Sequence, residues 1–69
     1  MRISARNQLV GTIESIEDGA VTSIVTLRLT GGERVVASIT KQSVETLELK
    51  VGDVATAIVK SSDVMVGKE

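Results

Sequence analysis

Three short segments of this 69-residue chain carry groups able to hold an anion. Ser4-Ala5-Arg6-Asn7 places a hydroxyl, a guanidinium and an amide within four consecutive residues. Thr40 and Ser43 stand three apart at a predicted helix start, where unpaired backbone N–H groups and the positive dipole end attract anions. Lys60-Ser61-Ser62 adds an ammonium and two hydroxyls. Together they supply what a tetrahedral dianion requires: neutral O–H and N–H donors, one or two positive charges and no carboxylate. Each segment also has a plain structural reading. Thr40 can cap the helix, Ser43 can fill its N3 position, and Lys60 can end a buried strand in solvent. On residue chemistry alone both readings stand.

Catalysis has fewer candidates. The chain has no His and no Cys, which removes the commonest general base, the thiolate nucleophile and the usual transition-metal ligands. Asp18, Glu45 and Glu48 are isolated carboxylates that read as solvated turn and helix residues, with no carboxylate pair or nucleophile–base arrangement. The expectation is a protein that is not an enzyme, with no catalytic cofactor and no direct cation ligands. A net charge of −1 and the absence of Phe, Tyr and Trp leave neither a basic groove nor a base-stacking platform, so nucleic acid is not an expected partner. An OB-type nucleic-acid module and a purely structural oligomer are the rival readings. No apolar run approaches the ~20 residues of a membrane span, and the N-terminus lacks the apolar stretch of a secretory signal. A cytoplasmic protein without a membrane partner is expected.

These segments must be positioned by strands. Asn7 to Ile16 reads as a first strand, with Gly11 as a bulge or close-approach point and Glu17-Asp18-Gly19 as a turn. Residues 21–29 alternate, with Val21, Val25, Leu27 and Leu29 on one face and a break at Ser23-Ile24. Gly31-Gly32 is a hairpin turn, after which Val35, Ala37 and Ile39 resume period two. Thr40 to Leu47 suits a short helix with Val44 and Leu47 facing inward. After the polar turn Leu49–Asp53, Val54–Lys60 is nearly all apolar and predicts a strand buried on both faces. Val64-Met65-Val66 predicts a short last strand. The predicted fold is therefore all-β: a single domain over 1–69, with five short antiparallel strands and one helix between strands 3 and 4, the element order of an OB-like barrel.

Size adds a further expectation. Hydrophobic residues are 42% of the chain, yet none is aromatic, and so short a chain buries little of its unfolded surface. With disulfides excluded, oligomerisation remains the means of stabilisation.

Ser4-Ala5-Arg6-Asn7-Gln8 followed by an apolar residue and Gly11 resembles the opening of the molybdate-binding Mop domain. Ser38-Ile39-Thr40-Lys41-Gln42-Ser43-Val44 is similar to its middle motif, and Ile58 to Val66 to its closing one, so the likeness spans residues 2 to 66. It implies an OB-like molbindin of the single-domain kind. Such proteins bind molybdate or tungstate at subunit interfaces, assembled as hexamers (trimers of dimers), for storage, buffering and homeostasis. By motif, Ser4, Ala5 through its N–H, Arg6, Lys60 and Ser61 would serve from one subunit and Thr40 and Ser43 from a neighbour. A second type of site, near a threefold axis and lined by main chain, would fall at Gly19-Ala20-Val21-Thr22.

Overall fold

The computed structural model describes residues 1–69 and bears out the all-β expectation. The elements are β1 (Asn7–Asp18), β2 (Thr22–Leu29), β3 (Arg34–Thr40), α1 (Lys41–Thr46) and β4 (Val54–Val59), followed by a 3-10 turn at Ser61–Asp63. The sheet runs β3-β2-β1-β4, antiparallel throughout. β1 is its hub. Its first half pairs with β4 from Asn7↔Val59 to Thr12↔Val54, while Gly11 to Asp18 pair with β2. Two partners offset along one long strand curl the sheet into a half-barrel, open between the edge strands β3 and β4.

Four strands form where five were expected. Val64-Met65-Val66 belongs to no element, and Met65 and Val66 are each 93% exposed. An apolar β-branched run records a preference for a half-buried pleated surface, but a strand also needs a partner edge. No strand of this chain pairs with residues 64–66. β4 likewise departs from the expected double burial: Val54 and Ile58 are exposed while Ala55, Ala57 and Val59 are half-buried, because only one face of an edge strand meets the core.

β2 corrects a second expectation. Its alternation is unbroken, with Ser23, Val25 and Leu27 all buried and Ile24 facing out. Ser23 is fully buried because its hydroxyl donates to Asp18 Oδ1 at 2.6 Å, which satisfies a polar group on the inner face. Val21 lies outside the strand and is exposed. Gly11 is a close-approach point rather than a bulge, since a Cβ there would stand 2.8 Å from the Arg28 carbonyl oxygen. The register shift falls between Ile13 and Ser15, leaving Glu14 without a strand partner.

The helix is capped at both ends. Thr40 Oγ1 accepts the Ser43 N–H at 3.0 Å, as a threonine N-cap should. At the other end the Leu49 N–H donates to Val44 C=O and the Glu48 N–H to Glu45 C=O, the paired bonds of a Schellman motif. Leu47 is the C-cap and is exposed, so of the two residues expected to face inward only Val44 does. Glu48 occupies the left-handed position of this motif at φ +52°, where glycine carries no Cβ penalty. Glu48→Gly is therefore expected to stabilise the fold by about 0.5–1 kcal/mol, read as a higher denaturant midpoint at unchanged m-value.

Only six residues are buried, and the core is Ile13, Val25, Leu27 and Val44, flanked by Ile16, Ile39, Leu49, Ala55 and Ala57. The concave face continues into an apolar groove between β3 and β4, lined on its two sides by Val35, Ala37 and Ile39 and by Ala55, Ala57 and Val59. Val36, Leu47, Val51 and Val54 add exposed apolar surface, each more than 60% accessible. The core is thin, and much apolar surface stays uncovered within the chain.

Candidate oxyanion site

The opening and closing motifs meet at one end of the sheet. Because β1 and β4 begin pairing at Asn7↔Val59, the residues before Asn7 and after Val59 leave the sheet side by side. They line an open cleft of about 600 Å³ formed by Ile3, Ser4, Ala5, Arg6, Ile58, Lys60, Ser61 and Ser62. Ser4, Ala5, Arg6, Lys60 and Ser61, all expected at the site from sequence, are thus brought together. Ser62 belongs to the segment whose two hydroxyls read as possible anion donors, although the family motif does not assign it, whereas Ile3 and Ile58 were not among the expected ligands. Ser62 was available as the neighbour of Ser61, and Ile58 as the residue two before Lys60.

Local hydrogen bonds hold both segments. The Gln8 side-chain amide donates to the Ala5 carbonyl at 2.8 Å, tying the Ser4–Arg6 segment back to β1. Beyond β4, the Asp63 N–H donates to the Lys60 carbonyl at 2.9 Å, so the chain turns at Ser61–Asp63 instead of running on. Gln8→Leu removes the first of these ties without touching the cleft lining. It is expected to weaken oxyanion binding a few-fold, about 0.5–1.5 kcal/mol for one hydrogen bond, in an isothermal titration.

The electrostatics favour an anion. The one ion pair in the chain is Arg34–Glu14, with Nε–Oε2 at 2.6 Å and Nη2–Oε1 at 3.0 Å. Arg6 and Lys60 have no carboxylate partner, and no carboxylate lines the cleft. The hydrogen bonds from Arg34 hold the Glu14 carboxyl below its usual range, and the charges of Arg34 and Arg28 add to this. A depressed carboxyl contributes stability above its unfolded pKa and loses it as the pH falls through the folded value; for a solvent-exposed pair that contribution is small.

Thr40 and Ser43 lie elsewhere. Thr40 ends β3, the opposite edge of the sheet from β4, and its hydroxyl is 2.7 Å from that of Ser43. Within one chain they do not join the cleft. They adjoin the Gly19–Thr22 turn instead, through the Thr22↔Thr40 pairing and a 2.8 Å bond from the Lys41 N–H to the Val21 carbonyl. In that turn the Gly19 N–H is already used, donating to the Thr22 carbonyl at 2.8 Å, which leaves the amides of Ala20 and Val21 as the turn's donors.

Known proteins share the sequence and the fold of this chain. A family model described as the TOBE domain matches residues 3–66. A probable molybdenum-pterin-binding protein of Haemophilus influenzae is 46% identical over 69 residues, 100% of both chains. The molybdenum transport protein ModE of Herbaspirillum seropedicae is 48% identical over 64 residues, and the chain spans 24% of its length. Among solved structures, MopII from Clostridium pasteurianum in an apo form matches with a TM-score of 0.93 at 45% identity, covering 97% of this chain and 100% of that one. ModG, described as a cytoplasmic molybdate-binding protein and solved with molybdate bound, matches at 0.90 and 48% identity over 94% of this chain and 46% of its own. The Haemophilus influenzae protein, ModE and ModG are named for binding or transporting molybdenum or molybdate, in line with a binding protein rather than an enzyme. The Mop-domain resemblance carried by the three motifs holds over the whole fold, and the chain belongs to the TOBE domain family.

Proposed function

We propose that this chain, as an assembly of identical copies, binds molybdate or tungstate at the seams between them for storage and buffering in the cytoplasm. One observation carries the reading: a cleft that gathers two unpaired cations and three hydroxyls and excludes carboxylates. Such a donor set suits a tetrahedral dianion, because charge-assisted hydrogen bonds are about twice as strong as neutral ones. The cleft is open and holds far more space than one tetraoxyanion fills, so a further wall is needed. Thr40 and Ser43, at the far edge of the sheet, would supply that wall from a neighbouring copy. The thin core and the open apolar groove supply the driving force for association. A hexamer built as a trimer of dimers would also draw the Gly19–Thr22 turns together near a threefold axis, with the Ala20 and Val21 amides as donors for a second type of site.

Titration calorimetry with molybdate and with tungstate tests the proposal. Heat of binding and a defined stoichiometry are expected for both, and no heat with either anion would leave a purely structural oligomer as the better reading. Ser43→Ala probes the neighbour's contribution more cleanly than a change at Thr40, which also caps α1. It is expected to cost about 0.5–1.5 kcal/mol of binding, the net worth of one neutral hydrogen bond.

A further inference from the structure

We propose that Ile3 and Ile58 form an apolar wall that sets the anion selectivity of the cleft, favouring large, weakly hydrated tetraoxyanions over sulfate. The inference rests on the reading that this cleft binds an oxyanion. Its polar lining, from Arg6, Lys60 and three serines, accounts for attraction but not for choice, since sulfate and molybdate carry the same charge and the same four oxygens. Ile3 and Ile58 differ in kind from these residues. They come from the two segments that meet, one ahead of β1 and one in β4, and each leaves apolar surface open to the cleft, at 45% and 41% exposure. Ile58 lies two residues before Lys60 at the end of β4, and both line the cleft.

An anion oxygen that faces isoleucine gives up its water and receives no donor in return. That loss is greater for the smaller ion, because at equal charge the hydration free energy grows as the radius falls. Donors set how strongly any dianion is held, whereas the apolar wall sets how much the more strongly hydrated one loses on entry. Discrimination by unreplaced hydrogen bonds is the general device of sites that separate near-isosteric ligands. A hydroxyl placed on this wall removes the penalty.

The test measures Kd for molybdate and for sulfate by titration calorimetry on the wild-type chain and on Ile58→Thr, Ile3→Thr and Ile58→Val. Light scattering and melting confirm fold and assembly of each. Ile58→Thr is expected to lower the molybdate-to-sulfate preference about tenfold, chiefly by tightening sulfate, the worth of one added hydrogen bond. Ile3→Thr should act in the same direction, and serves alone where the first variant fails to fold. Ile58→Val keeps the wall apolar and should hold the preference within about twofold. An unchanged preference in a folded threonine variant overturns the selectivity role while leaving oxyanion binding intact. A wild-type chain that binds neither anion overturns the site reading itself and the selectivity with it.

Discussion

Replacing Lys60 by alanine is expected to weaken molybdate binding about 10- to 100-fold, because a hydrogen bond to a charged group is worth roughly 1.5–3 kcal/mol. Lys60 follows β4 in extended backbone and no carboxylate of the chain neutralises it, so its charge is free for a ligand. Arg6→Ala should cost a similar amount. Arg6→Lys should fall between, since it keeps the charge and loses the planar fork that can grip two oxygens at once. Both cations act on one small ligand, so their effects in the double variant should not add. Arg34→Ala is the matching control. It removes an equal charge already paired with Glu14, away from the cleft, and should leave affinity within about twofold.

The second large effect is on stability. A ligand held only by the assembled form stabilises it by RT ln(1 + [L]/Kd), about 2.7 kcal/mol per site at a hundredfold excess over Kd. For a chain of this size each kcal/mol moves the melting temperature by about 4–8 °C, so saturating molybdate should raise Tm by roughly 10–20 °C. The same linkage makes Tm rise with protein concentration even without ligand, because an association step is part of folding. Lys60→Ala should lose most of the molybdate-induced shift and keep the concentration dependence, since residue 60 lies on the cleft and not in the apolar groove between β3 and β4. Differential scanning fluorimetry across a protein dilution series reads both effects. A Tm indifferent to protein concentration would count against the oligomer.

Much of this was legible in the chain itself. Thr40 with Ser43 three residues on foretold the α1 cap, Gly31-Gly32 the β2–β3 hairpin, and the period-two runs β2 and β3. The opening and closing motifs came together as expected because strand register fixes them: pairing Asn7 with Val59 leaves Arg6 and Lys60 as the next facing residues. What stayed hidden depended on partners that local pattern does not record. Val64-Met65-Val66 has the composition of a strand and pairs with none of the chain's strands. Leu47 has the helical spacing of a core residue, but the Schellman turn ends α1 there and leaves it in solvent. Ser23 looked like a break in β2 because its burial depends on the Asp18 carboxylate five residues earlier. Ile3 and Ile58 carry no donor, so nothing in their residue type marks them as part of an anion cleft.

The location of the site, at a seam between copies and not within one of them, is the central claim. Thr40 and Ser43 lie at the other edge of the sheet and do not line the cleft of their own chain, and the cleft alone is too open to enclose a small anion. Native mass spectrometry with molybdate tests this directly, reporting subunit number and bound anions in the same spectrum. The expected result is molybdate carried only by multi-subunit species, in fixed stoichiometry, with any residual monomer bare. Monomers that carry molybdate as readily as the assembly would contradict the account.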